Sequence, residues 1–285
     1  MIILTEVLCP VCRNLCQNTK WRSGSHKAVA CHKCNLVFTD PLEKGNDEQV
    51  SNKMSSMTAM EYLEMMKVNA VERGKIATKI ATNRLERYTL ALGRIPRSIC
   101  EIGPGDGAFS EAYSNLGIKY IGADINKEIV LFAQSLGRNV VLGGPDDLIG
   151  KKYDVIFFSQ VLEHILEPIS FLTSVKNLLT DDGIIHIEVP NNNSLTSTVR
   201  KVFPNQNEYG FIQLPHHQIA YSLKSLSYLL EVVGFVPLWI EPKGNSDQTW
   251  GQLIPSSTKN LLKSAVLNIS AKFGLGSLLV YIGKS

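Results

Sequence analysis

No stretch of this 285-residue chain approaches the run of about 18 apolar residues that a membrane-crossing helix needs. The apolar segment from Gly274 to Gly283 is short and ends against Lys284. The opening residues Met1-Ile2-Ile3-Leu4-Thr5-Glu6 lack a basic segment and a long apolar run, so they do not read as a secretory signal. The expected compartment is the cytoplasm. An excess of either charge is also missing: 29 Lys and Arg against 26 Asp and Glu leave a net charge of +3. That balance gives no basic footprint, so nucleic acid is not the expected partner. Internal repeats and low-complexity tracts are absent. What remains, 44% hydrophobic and 19% charged, is the composition of a globular protein that buries a core. The length suits one large domain with an accessory piece.

Cysteine is scarce but not scattered. Four of the six cysteines form two C-x-x-C pairs, Cys9/Cys12 and Cys31/Cys34, with eighteen residues between them. That spacing is read as a tetrahedral zinc site, each pair turning both sulfurs inward. A cytoplasmic setting disfavours disulfides and favours the metal. Residues 1–45 are therefore expected to be a zinc ribbon whose folding free energy comes mostly from metal binding. Cys16 reads as a spare thiol, His32 as an unused neighbour and Cys100 as a small buried apolar residue.

The segment Ile99 to Phe109 carries the clearest cofactor signal. A short apolar run ends at Glu101, and Gly103, Gly105 and Gly107 follow at alternate positions. Glycine lets the chain turn sharply and approach a ligand, and the next helix then aims its free N–H groups at that ligand. A second strand ends at Asp124, about 20 residues on, where a carboxylate accepts hydrogen bonds from ribose hydroxyls or caps the following helix. The glycine spacing alone does not separate dinucleotides from other adenosyl cofactors.

Residues 46–92 read as a linker and a capping helix, patterned from about Thr58 to Leu92, with Met66, Ala70, Ile76, Ile80, Leu85 and Leu92 as its apolar positions. Its Arg and Lys residues read as a solvated face. From there residues 93–285 alternate strand and helix, which predicts a doubly wound, mostly parallel α/β sheet covered on both faces. Strands are expected at 98–102, 120–124, 139–142, 153–158 and 184–189. Helices are expected at 109–116, 127–136, 168–179 and 223–233. Strands at 236–241 and 278–283 would supply an antiparallel edge, and 258–273 reads as an amphipathic segment.

Four blocks in order, Glu101-x-Gly-x-Gly-x-Gly, Asp124, Tyr153 to His164 and Asp182 to Asn191, resemble the class I S-adenosylmethionine (SAM) methyltransferases from about Arg97 to Ser285. The resemblance implies that fold, with seven strands, and SAM as cofactor. It places Glu101 and the three glycines around the methionine part, Asp124 with Ile125 at the ribose, and Asp146 and Asp147 against adenine. Gly144 stands where the family often has an acid. Ser159 and Gln160 would lie at the rim beside the reacting methyl group. The N-terminal pairs and the following Leu36-Val37-Phe38 resemble zinc-ribbon methyltransferases of bacterial sugar and small-molecule pathways.

Methyl transfer asks a protein to align an acceptor and take its proton. His164 follows the fourth strand. Ubiquinone-pathway relatives carry Glu-x-x-Glu-His there for a divalent cation, but Gln160 replaces the first Glu, so no second metal is expected. Pro215 to Ser222 resembles the His-containing acceptor loop of the sugar enzymes, and implies His216 or His217 as general base with Tyr221 or His164 assisting. The insertion from Asn191 to Leu214 reads as an acceptor-site wall or lid. No Asn-Pro-Pro-Tyr motif is present, which points to an oxygen, carbon or sugar-amine acceptor. The expected activity is methylation of a small, sugar-type molecule. The alternative is an rRNA base methyltransferase whose ribbon grips RNA.

Overall fold

The computed structural model describes residues 7–43, 59–244, 270 and 272–285, and within 59–70 only the side chains of Glu64 and Val68. The 258–273 segment thus lies almost wholly outside the described residues, as do the side chains of Met66 and Ala70.

The cysteine-bearing module is built from short strands. β1 (Val7–Leu8) pairs with β2 (Leu15–Cys16). β3 (Asn18–Ser23) and β4 (His26–Ala30) form the hairpin between the two cysteine pairs, and β5 (Val37–Asp40) continues from the second pair. This module has no separate core. Cys9, Cys31, Cys34, Leu36 and Phe38 belong to one buried cluster with Leu162, Ile187 and Leu226 of the main domain.

α1 (Ala59–Leu92) then leads into β6 (Ser98–Ile102), α2 (Phe109–Asn115), β7 (Lys119–Asp124), α3 (Lys127–Ser135), β8 (Val140–Leu142), β9 (Tyr153–Ser159), α4 (Pro168–Asn177) and β10 (Leu179–Pro190). An insertion carries α5 (Leu195–Val202), the β11 (Glu208–Tyr209) and β12 (Ile212–Gln213) hairpin, and β13 (Ile219–Ala220). α6 (Leu223–Val233), β14 (Val236–Lys243) and β15 (Leu278–Lys284) close the chain. Local chemistry sets the ends. Asn126 caps α3 through Glu128 and Ile129, Pro168 opens α4, and Ser222 caps α6, which Gly234 ends at φ 84°.

The seven-stranded sheet has the order β14-β15-β10-β9-β6-β7-β8. β15 alone is reversed: it pairs antiparallel with both β10 and β14. The expected antiparallel edge is therefore one inserted strand, with β14 outside it. α1 covers one face. Ala77, Ile80, Ala81 and Tyr88 are buried there with Phe109, Tyr113 and Phe157, and Ile76, Leu85 and Leu92 pack at the margin. The reading of this helix's cations as a solvated face fails at two positions. Arg73 and Arg84 are buried, because each meets a carboxylate of the main domain, Asp106 and Glu188.

Candidate active site

The carboxyl ends of β6, β7, β9 and β10 converge on one rim. Gly103, Gly105 and Gly107 have φ of 70°, 58° and 66°, a backbone that side chains disfavour. A Cβ at Gly103 would lie 2.7 Å from Val161, and one at Gly107 would lie 2.5 Å from Val140. Asp124 faces this turn. Its carboxylate accepts from Gly105 N at 3.2 Å and from Asn126 N at 2.9 Å. The helix-cap role falls to Asn126 instead, which leaves Asp124 tied to the glycines. Burial raises the Asp124 carboxyl above its ordinary value. Glu101 sits beneath the turn and accepts from the Tyr120 hydroxyl at 2.5 Å. Burial pushes it up to about 8, so it holds a proton near neutrality.

Asp106 lies inside the glycine turn and is wholly buried. Arg73 of α1 reaches it at 2.8 and 2.9 Å, and Arg138 lies 2.9 Å from the same carboxylate while donating to the Asp106 carbonyl at 2.8 Å. A second buried array stands beside it. Arg84 meets Glu188 at 2.9 Å, Ser159 donates to Glu188 at 2.9 Å, and Tyr88 contacts His186 at 2.6 Å. Ser159 is thus held within the rim. Gln160 next to it has φ 59°, a left-handed backbone in a non-glycine residue. None of Arg73, Arg84, Asp106 or Arg138 was marked by the sequence reading. An acid between two glycines was the one available signal.

The expected adenine-side acids separate. Pro145–Leu148 forms a single short helical turn. Both acids are exposed, but Asp147 accepts from Gly144 N at 2.8 Å and caps that turn, and Asp146 takes no part in that cap. Ile125 is also exposed beside Asp124.

A second group gathers beyond β9. His164 ends a short helical turn, Leu162–His164. Its Nδ1 lies 3.2 Å from the His216 carbonyl, which fixes that nitrogen as donor and leaves Nε2 as acceptor. The His217 ring meets the His164 ring edge to face at 4.6 Å. Burial lowers His164 to about 4 and His217 to about 3, so both are neutral at pH 7. Glu163 is buried, with neither carboxyl oxygen hydrogen-bonded among the described residues, and burial pushes it up to about 8. Tyr221 is also fully buried, its hydroxyl without a hydrogen-bond partner among the described residues and held well above the usual phenol range. Of the two adjacent histidines, His217 offers its ring to this cluster and His216 offers its carbonyl. Glu163, His164 and His217 bring ligand-type atoms within 4.8 Å of one another. The sequence reading expected no metal here, since Gln160 replaces a Glu. The third donor comes instead from the insertion.

The four paired cysteines converge as the spacing requires. Cys9 Sγ lies 3.6 Å from Cys34 Sγ, and Cys12 Sγ lies 3.4 Å from Cys31 Sγ. All four sulfurs fall within 4.8 Å of one another. Tetrahedral zinc with bonds of about 2.3 Å requires sulfurs about 3.8 Å apart, so the set fits that ion. Cys16 instead donates to the Asn14 carbonyl at 3.3 Å, and Cys100 is buried in β6.

A parallel sheet with one reversed strand beside its edge, and a glycine turn facing an acid on the neighbouring strand, define a class I methyltransferase fold. The family model of the methyltransferase domain matches residues 73–238, more than half of the chain, and the protein belongs to that family. The chain is similar to the ubiquinone biosynthesis O-methyltransferase of Glaesserella parasuis serovar 5, 30% identical over 112 residues, 35% of this chain and 48% of that protein. The match thus spans about half the length of that curated relative. The corresponding protein of Dinoroseobacter shibae is 28% identical over 186 residues, 62% of either chain. Among solved structures, the plantazolicin methyltransferase BamL in complex with a desmethyl analogue and SAH superposes with a TM-score of 0.56 at 20% identity, covering 84% of this chain and 95% of that one. A SAM-dependent methyltransferase from Archaeoglobus fulgidus superposes with a TM-score of 0.50 at 24% identity, covering 73% and 94%. These two likenesses establish the fold.

Proposed function

We propose that this chain is a SAM-dependent methyltransferase acting on a small, hydroxyl-bearing acceptor, with His217 as the group that takes the acceptor's proton. The observation that carries the reading is the pair of neutral imidazoles, His164 and His217, half-buried with their rings edge to face at 4.6 Å, His164 following β9 by five residues. A neutral imidazole accepts a proton, and a positioned general base typically contributes about 100- to 10,000-fold in rate when its pKa is brought near the working pH. The proton on His164 Nδ1 is engaged by the His216 carbonyl, so that ring orients its neighbour.

SAM, when bound, supplies a methyl carbon already activated for displacement. Gly103, Gly105 and Gly107, all at positive φ, shape the turn that brings the backbone close to the cofactor, and Asp124 offers its carboxylate to the ribose. Neutral Glu101 and the Arg73–Asp106 pair hold the turn in shape. Asp146, exposed and outside the Gly144–Asp147 hydrogen bond, is the acid left to meet the adenine amine. Cys9, Cys12, Cys31 and Cys34 hold one structural zinc with no open position.

The acceptor is a sugar or phenol rather than RNA. The buried cations nearest the rim, Arg73, Arg84 and Arg138, are committed to Asp106 and Glu188 and offer nothing to phosphates. The names of the curated relatives point to an oxygen acceptor. The test is SAM consumption with a panel of sugar nucleotides, catechols and an rRNA fragment. Turnover on RNA alone would overturn the reading.

A further inference from the structure

The short strand that follows His217 is not paired within the methyltransferase sheet. β13 pairs with β5 of the cysteine module, Ile219 opposite Phe38 and Ala220 opposite Val37. Two residues make too little strand to hold themselves, so the module supplies the order. Gln218, between His217 and β13, is almost wholly buried and bonded to the module at each end of its amide. Its Oε1 accepts from Glu43 N at 2.9 Å and from Thr39 Oγ1 at 3.3 Å, and its Nε2 donates to the Glu43 carbonyl at 2.8 Å. Its own carbonyl accepts from Thr39 N at 2.9 Å.

β5 in turn begins at the second cysteine pair. The turn is closed by Asn35 N on the Cys31 carbonyl at 2.9 Å and Cys31 N on the Leu36 carbonyl at 2.9 Å, and Val37 opens the strand. On the far side of β13, Ser222 Oγ reaches the Asn35 carbonyl at 3.5 Å, and Tyr221 is buried in one cluster with Cys9 and Cys34. A continuous chain of contacts therefore runs from the cysteine set through β5 and Gln218 to His217.

We propose that the cysteine module is an internal template for the acceptor side of the site, and that Gln218 is the positioning residue through which it sets the place of His217. The module does not reach outward to a partner along this edge; its β5 edge is used up by the chain's own β13. Without the metal, four unbonded thiols and a shared core are too little to hold β5, because so small a piece depends on its ion for folding. β13 then loses its pairing, and the His217 ring leaves the His164 ring. The inference rests on the reading of His217 as an acceptor-side group, and its test does not use turnover.

The test is NMR of the full chain with labelled histidine, together with diethyl pyrocarbonate modification mapped by mass spectrometry. The zinc-loaded protein should show a cross-peak between the His164 and His217 rings, and His217 should react slowly relative to exposed His32. Chelation, or Gln218→Ala, should remove the cross-peak and raise the His217 modification rate about tenfold or more, as local opening uncovers a half-buried ring. Affinity for S-adenosylhomocysteine, measured by calorimetry, should stay within about threefold, because the glycine turn lies outside this chain of contacts. If Gln218→Ala does not bind S-adenosylhomocysteine, Gln218→Asn, which keeps the amide but shortens its arm, is expected to move both signals the same way. An unchanged cross-peak and unchanged His217 reactivity after verified zinc loss would overturn the template. Unchanged signals in a folded Gln218 variant would overturn the role of Gln218. Loss of turnover in His217→Ala concerns the base alone and moves neither result.

Discussion

Replacing Asp106 by alanine should cost more than any other single change at the glycine turn. Its carboxylate is wholly buried and holds two buried guanidinium groups, Arg73 at 2.8 Å and Arg138 at 2.9 Å. Removing the shared anion takes from both buried cations the carboxylate they hold in common. Breaking one buried pair from one side costs about 3–5 kcal/mol, mostly the desolvation of what is left behind. A domain of this size shifts its melting temperature by roughly 2–4 °C per kcal/mol, so Asp106→Ala should melt roughly 6–20 °C lower. Asp106→Asn keeps the shape and one acceptor and should fall between. Arg73→Met removes one cation and leaves Arg138 on the carboxylate, so its penalty should be smaller still. Affinity for S-adenosylhomocysteine should fall in the same order, since Asp106 lies between Gly105 and Gly107. Calorimetric melting with and without the ligand reads both effects. An Asp106→Ala variant melting within about 3 °C of the parent would refute the reasoning, because the cations would then have found water.

Three further outcomes follow from the same geometry. Asp124→Ala should weaken SAM and S-adenosylhomocysteine by about 100-fold or more in titration calorimetry, at about 1.5–3 kcal/mol for each hydrogen bond lost to a charged acceptor; binding of NAD in place of either would refute the site. The share of stability held by His164 and His217 should decline from about pH 6.5 down to about pH 3, read as the difference in urea midpoint against pH between the parent and His217→Phe, because Glu101 and Glu163, held up near 8, change the total in the opposite sense above about pH 4.5. His164 and His217 sit near 4 and 3 in the fold, so as pH falls the unfolded chain takes their protons first, and His217→Phe should flatten that limb. Metal analysis should find about one zinc per chain, lost in Cys31→Ser. A second equivalent that survives that change and disappears in Glu163→Gln would show that the donor set of Glu163, His164 and His217 holds a cation in place of a proton relay.

The parts of this molecule that were legible in the sequence are those written in local spacing. Gly103, Gly105 and Gly107 stand close enough in the chain to shape one turn, and Asp124 lies one strand–helix–strand unit further on. The cysteine pairs announce themselves in the same way, since two sulfurs on one tight turn need only a hairpin to meet the other two. The buried ions were not legible. Arg73 and Asp106 are 33 residues apart, and Arg84 and Glu188 are 104 apart. A cation on a helix reads as solvated until a carboxylate is known to face it, because burial without a partner is too costly to assume.

The acceptor side shows the same limit at a finer grain. His164 and the His216-His217 pair were each visible as candidates, but nothing in their spacing says which imidazole meets which. The choice is made by Gln218, whose amide is fixed by Thr39 and Glu43, 179 and 175 residues earlier in the chain. That register turns the His217 ring toward His164 and leaves the His216 carbonyl to hold Nδ1. A proposed base whose place depends on a strand of another module cannot be read from the loop that carries it. The N-terminal cysteines and the acceptor histidines, read separately as a structural motif and a chemical one, lie along one connected structure: Tyr221 shares a buried cluster with Cys9 and Cys34, and the buried Glu163 brings its carboxyl within 4.8 Å of ring nitrogens of His164 and His217.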